Sequence, residues 1–161
     1  PTMIGTRPGG PIACAWAALH ALGEDGYLEL ARTAADAADR LRAGIAAIPG
    51  LSIVGKAHAT IVAYAGDDLY AIAERLEARG WSVDRQHRPA SIHLTVTANH
   101  AAIVDDYLAD LRASVAEVRA NPKLAKSGTA PMYGMAAKMP VRRLVASRIR
   151  KVIAEMYRSA P

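Results

Sequence analysis

The chain has 161 residues, a formal net charge of +5, 52% hydrophobic residues, 5% aromatics and no phenylalanine. That length suits one ordinary domain, which buries roughly 70% of its unfolded surface, and the composition builds the core from Ala, Leu, Ile and Val rather than from large rings. A single cysteine excludes an internal disulfide framework, and with no signal peptide or apolar run of bilayer-spanning length, a soluble, intracellular and cytoplasmic chain is expected.

In chain order, GTRPGG leads into Pro11, a residue suited to the first helical position. Ile12, Trp16 and Leu19 then recur at helical spacing up to Gly23, predicting a short helix with Cys14 on its apolar face as a buried, inert thiol. Beyond GEDG, with Asp25 as cap, the stepping of Tyr27, Leu30, Ala34, Ala38, Leu41, Ile45 and Ile48 predicts a long second helix stopped by Pro49-Gly50. Its alanines would let a neighbouring helix approach closely. LSIVG and TIVAYAG, joined by KAHA, read as neighbouring strands. Asp67 is expected to cap the helix in DDLYAIAERLEARG, with Leu69, Ile72, Ala73 and Leu76 on one face and Gly80 as its stop. WSVDRQ and SIHLTVT form a second strand pair, and in the latter Ile92, Leu94 and Val96 alternate with His93, Thr95 and Thr97. A helix over 101–120 turns Ile103, Tyr107, Leu108, Leu111, Val115 and Val118 inward and ends at Asn121-Pro122. The basic, flexible loop PKLAKSGTAP and the irregular MYGMAAKMP lead to a last helix, opened by Pro140, with the stripe Val141, Val145, Ile149, Val152 and Met156. This order implies an α/β two-layer sandwich: a four-stranded, mainly antiparallel sheet with helices on one face, preceded by a long connecting helix.

Local chemistry is sparse. GTRPGG lacks the Gly-Lys-Ser/Thr ending of a phosphate loop, yet Gly9 and Gly10 stand before a helix start with the Thr6 hydroxyl and Arg7 guanidinium beside them, which suits either an anion or a tight turn. The histidines His20, His58, His87, His93 and His100 have no metal-ligand spacing, and no metal site is expected. His93 stands out, mid-strand on the face opposite Ile92 and Leu94, with a hydrogen-bonded structural role as the plainer reading. No nucleophile elbow is present. The late cluster Arg142, Arg143, Arg148, Arg150 and Lys151 reads as a solvated basic face or a nucleic-acid surface, without the aromatic interleaving that would favour the latter.

Three separated stretches, PTMIGTRPGGPIACAWAALHALGEDGYLE, RGW with PASIHL, and GTAPMYGMAA, together resemble the sphingosine-1-phosphate lyases, pyridoxal-phosphate enzymes related to the group II amino-acid decarboxylases. Members of that family usually carry Gly-Ser-Arg-Pro-Gly where this chain has Gly5-Thr6-Arg7-Pro8-Gly9, a change that keeps the hydroxyl. The resemblance runs through the whole chain but covers only about the last third of a family chain. It implies that residues 1-48 are the end of the large domain and interdomain helices, and that 49-161 are the C-terminal small α/β domain of a fold type I enzyme. It also implies a retro-aldol cleavage of a phosphorylated long-chain base to a fatty aldehyde and phosphoethanolamine, with pyridoxal 5'-phosphate as electron sink. Gly5 and Thr6 would then serve the cofactor, and Arg7 and Tyr133 the substrate. The family's Schiff-base lysine follows a histidine upstream. None of Lys56, Lys123, Lys126, Lys138 and Lys151 does so, and no catalytic residue is expected in this fragment, which should be inactive alone. Homodimerisation or further self-association through the apolar faces of residues 12 to 48 is expected, without nucleic acid or membrane contact. An amino-acid decarboxylase fragment and a small basic nucleic-acid-binding module are the alternatives.

Overall fold

The computed structural model describes residues 8–56, 59–126, 128, 131, 147 and 150–155. Helix α1 (Gly9–Ala46) begins after Pro8 and is broken once, at Gly23, whose φ of 61° and ψ of −172° leave the helical region. A positive φ is cheap only without a Cβ, so the expected helix end at Gly23 is a kink there. The GEDG turn contracts to that one residue, and Asp25 lies within the helix instead of capping it.

Strand β1 (Leu51–Ile53) follows, then β2 (Ile61–Gly66), helix α2 (Leu69–Ala78), β3 (Asp84–His87) and β4 (Ala90–Thr95). A 3-10 turn over Ala98–Ala102 leads into α3 (Val104–Ala120), and a second covers Pro122–Lys126. The sheet order is β1-β2-β4-β3, and every neighbouring pair is antiparallel. The register aligns Ile53, Tyr64, Ile92 and Arg85 in one row across all four strands. Tyr64 and Ile92 in that row are fully buried, beneath the helices. On the other face Ala63, His93 and Asp84 form a matching row that stays partly or fully exposed. Helices on one face of a four-stranded antiparallel sheet, introduced by a long helix, is therefore the observed architecture.

The core joins Ala37, Ala38, Leu41 and Ile45 of α1 to Ile72, Ala73 and Leu76 of α2 and to Leu108, Leu111 and Val115 of α3. At Gly44 α1 lies close against α3: a Cβ built there would lie 2.7 Å from Leu108 Cδ2 and 3.1 Å from its Cγ. The close helix approach expected from the small residues of this stripe is thus centred on a glycine.

Arg85, on the core side of the edge strand β3, keeps only 8% of its side chain exposed because α2 supplies Glu77 as a two-pronged partner, with Nη2–Oε2 at 2.7 Å. The guanidinium holds the Glu77 carboxyl below the usual carboxylate range. Elsewhere Arg79 donates to Glu117 at 2.9 Å and Arg40 to Asp105 at 2.7 Å, tying α2 and α1 to α3.

Several expectations are corrected. Cys14 is exposed, because nothing described packs on the first arm of α1. Ile12, Trp16 and Leu19 are 57–64% exposed for the same reason. Tyr27 and Leu30, just past the kink, are also exposed. The residue preceding α2 is Asp68, in the left-handed region, and it makes no side-chain cap bond, so Asp67 is not the cap. The strand expected in WSVDRQ starts only at Asp84, and the helix expected from 101 starts at Val104 after a 3-10 turn that leaves Ile103 37% exposed. Residues 150–155 are helical, but Val152 of the proposed stripe is 55% exposed. The other stripe residues lie outside the described residues. Part of the loop expected to be flexible, Pro122–Lys126, is a 3-10 turn.

Candidate functional site

Among the described residues a cleft of about 280 Å³ opens where β3 begins and β4 ends. Its apolar walls include Leu41 of α1, Leu94 and Val96 at the end of β4, and Val104 of α3. Its polar lining includes Asp84, His93, His100 and Tyr107. Four chain segments, distant in sequence, converge here because the antiparallel order brings the edge strand β3 beside β4, while α1 and α3 close the far side.

The groups around the cleft are held in definite arrangements. The Trp81 indole N–H donates to Asp110 at 2.7 Å, and its ring meets Tyr107 edge-on with centroids 5.0 Å apart. The Tyr107 and Tyr64 hydroxyls are 2.6 Å apart, inside the core. Burial raises both phenols, Tyr107 to about 12 and Tyr64 well above its ordinary value. Either hydroxyl can be the donor of the bond between them. At the rim, the Thr97 backbone N–H donates to His100 Nδ1 at 2.9 Å. A ring nitrogen that accepts from a backbone N–H is unprotonated, so the proton of the neutral His100 ring is on Nε2.

Of the residues singled out from sequence chemistry, His93 lines this cleft and pairs across the strands with Asp84. Gly5, Thr6, Arg7 and Tyr133 lie outside the described residues. Gly9 and Gly10 open α1, and a Cβ added at either would meet nothing within 4 Å, so no close backbone approach requires them to be glycine. Trp81 figures in the sequence only within the RGW stretch of the resemblance, His100 only among histidines without metal-ligand spacing, Asp84 only within a predicted strand, and Tyr107 only as an inward-facing helical residue. A tryptophan and histidine in turns flanking two short strands are the only local signals, and neither has a spacing of its own.

No group of three or more His, Cys, Asp or Glu side chains able to hold a metal occurs among the described residues. A lysine that carries a pyridoxal cofactor sits with its amine desolvated in an enclosed site. Lys56, Lys123, Lys126 and Lys151 are all exposed, and Lys138 lies outside the described residues. The described residues therefore do not fit the covalent anchor of that cofactor. The arginines Arg40, Arg42, Arg75, Arg79, Arg85 and Arg119 are each engaged with a carboxylate or a backbone carbonyl, so much of the described positive charge is internally spent rather than arrayed for phosphates. No described helix is long and apolar enough to cross a membrane.

A four-stranded antiparallel sheet backed by helices and carried on a long, broken helix makes this an α/β two-layer sandwich. No family model matches the chain. A sphingosine-1-phosphate lyase of Arabidopsis thaliana is 42% identical over 147 residues, 90% of this chain and 27% of that protein. Its counterpart in Dictyostelium discoideum is 34% identical over 157 residues, 97% of this chain and 30% of that protein. The solved sphingosine-1-phosphate lyase of Burkholderia pseudomallei K96243 superposes with a TM-score of 0.68 at 25% identity, covering 100% of this chain and 32% of that one. The chain belongs to the sphingosine-1-phosphate lyase family, and it spans less than a third of the length of the relatives it matches.

Proposed function

We propose that this chain is the C-terminal part of a pyridoxal-phosphate-dependent carbon-carbon lyase that cleaves phosphorylated long-chain bases to a fatty aldehyde and phosphoethanolamine. The observation that carries the reading is the sustained identity to sphingosine-1-phosphate lyases over 90% or more of the chain. In this reading residues 1-48 are the end of the large domain and the helices between domains, and 49-161 are the small domain. The reactive lysine belongs to the large domain, in keeping with the exposed position of every described lysine.

The chain's own contribution is to bind and orient. Gly5 and Thr6 hold the cofactor's phosphate through backbone N–H groups and a hydroxyl just before the start of α1, where the helix dipole favours an anion. Arg7 offers a planar pair of donors for the substrate phosphate, and Tyr133 a hydroxyl for substrate phosphate or hydroxyl. The exposed row Ile12, Trp16 and Leu19 on the first arm of α1 supports a homodimer, an apolar stripe of that kind being costly to leave in water.

The test replaces Thr6 by Ala, Arg7 by Gln and Tyr133 by Phe, one at a time, in the intact protein. Thr6→Ala should weaken cofactor retention, whereas Arg7→Gln and Tyr133→Phe should lower kcat/KM for the phosphorylated substrate. Unchanged cofactor retention and turnover in all three would overturn the residue roles. Release of carbon dioxide from amino acids, without aldehyde from long-chain base phosphates, would replace the lyase by a decarboxylase. Light scattering on the intact protein checks the dimer.

A further inference from the structure

The two buried tyrosines pose an accounting question. Tyr64 and Tyr107 carry two hydroxyl protons, and their mutual hydrogen bond uses one. Tyr64 is 0% exposed, does not line the cleft, and among the described residues has no hydrogen bond besides the one to Tyr107. Leaving its proton unpaired in the core would cost the desolvation of a donor. The arrangement that avoids this has Tyr64 donate to Tyr107, which frees the second proton on Tyr107, the 6%-exposed member that does line the cleft. Tyr107, a residue of the cleft lining, thus carries a hydroxyl proton that no acceptor among the described residues takes. His100, fixed by the Thr97 N–H as the Nε2-protonated ring, lines the same hollow with a second N–H donor.

We infer that this cleft is a binding site for a small neutral molecule with an apolar body and a carbonyl oxygen, the oxygen accepting from the Tyr107 hydroxyl and the body lying against Leu41, Leu94, Val104 and Trp81. The inference does not rest on the roles proposed for Gly5, Thr6, Arg7 and Tyr133. The chemistry of the cleft selects the ligand. The Tyr107 donor asks for an acceptor. The Asp84 carboxylate on the same lining disfavours an anion, and the walls disfavour a strongly hydrated head. At about 280 Å³ the cleft is at the small end of ligand pockets, which run from roughly 300 to 1,000 Å³, so it takes a small molecule rather than a whole lipid.

Acetophenone is a suitable probe, with ethylbenzene as the same body lacking the acceptor and benzoate as its anionic counterpart. Binding to the intact protein is read from the Trp81 indole N–H resonance, assigned by its loss in Trp81→Phe. Acetophenone should shift that resonance saturably, with ethylbenzene and benzoate each binding about five- to tenfold more weakly, the ratio expected for one net hydrogen bond. Tyr107→Phe should reduce acetophenone to the affinity of ethylbenzene and leave ethylbenzene unchanged. Tyr64→Phe should keep acetophenone binding, since Tyr107 retains its donor. No saturable shift with acetophenone would show that the cleft holds solvent only and would overturn the inference. So would equal binding of ethylbenzene or benzoate, or equal losses in Tyr64→Phe and Tyr107→Phe. The comparison of the three probes on the unaltered protein decides the matter even where Tyr107→Phe fails to fold.

Discussion

Gly44 is the position where one methyl group should have opposite effects in two backgrounds. In the native protein, Gly44→Ala gains helix propensity, about 0.8–1 kcal/mol. It also places a carbon 2.7 Å from Leu108 Cδ2 and 3.1 Å from Cγ, well inside van der Waals contact. Leu108 is only 6% exposed and is enclosed by the α1–α3 core, so its side chain cannot swing into solvent. Overpacking of this kind costs about 1–3 kcal/mol. The balance is a net loss of about 1 kcal/mol, which lowers Tm by roughly 2–4 °C in a protein of this size. Leu108→Ala alone should cost about 2–5 kcal/mol by leaving a cavity. In that background the added methyl meets open space, and Gly44→Ala should then stabilise by about 1 kcal/mol or somewhat more as it partly fills the hole. Urea unfolding of the four proteins in the cycle measures the coupling directly. If Gly44→Ala has the same sign and size in both backgrounds, the close approach of α1 to α3 is not what makes this residue a glycine.

Three further outcomes can be checked. Leu111 is 0% exposed at the centre of α3, and Leu111→Ala should cost about 2–5 kcal/mol, read as a fall in the urea midpoint at unchanged slope. The Glu77 carboxyl is held below its usual range by Arg85, so its share of stability is present above the ordinary carboxylate value and is lost as pH falls through the lowered folded value. Glu77→Gln should therefore be less stable near neutral pH and lose less on acidification than the parent, by urea midpoints across the acid range. Conversely, the phenols of Tyr64 and Tyr107 are raised, so their contribution is intact below pH 10 and declines as pH climbs towards the folded value, about 12 for Tyr107. Tyrosinate absorbance should show these two ionising only together with alkaline unfolding, and the double variant Tyr64→Phe/Tyr107→Phe should lose that part of the alkaline transition.

Period and punctuation carried most of the fold into view. The alternation in β4, the face Leu69, Ile72, Ala73 and Leu76 of α2, the stop at Gly80 with φ of 95°, and the end of α3 at Asn121 all follow from local rules that the packing does not contradict. The misses share a cause. Periodicity says that a face wants covering but not what covers it, and the same stepping that buries Ala37, Ala38, Leu41 and Ile45 leaves Ile12, Trp16 and Leu19 exposed on the first arm of α1. Arg85 shows a burial that local patterning does not signal: its row in the sheet is the core row, and the Glu77 carboxylate arriving from α2 pairs with it there. Cap chemistry misled at Asp67 because the left-handed conformation of Asp68 starts α2 by backbone geometry, with no side-chain oxygen engaged.

The candidate sites divide along the same line. GTRPGG and the tyrosine of MYGMA are contiguous words, and contiguity is what a resemblance between sequences can detect. The cleft at the end of the sheet is not written contiguously anywhere: Leu41, Trp81, Asp84, His100 and Tyr107 come from a helix, a turn, an edge strand, a 3-10 turn and another helix. They meet because β3 crosses back to lie outside β4, placing the start of one strand beside the end of the other and against the junction of α1 with α3. The family likeness thus bears on the roles proposed for Gly5, Thr6, Arg7 and Tyr133, while the antiparallel order of the sheet forms the largely apolar cleft that Tyr107 lines. The two proposals can be separated by experiment, since acetophenone binding is read from the Trp81 indole N–H without requiring turnover.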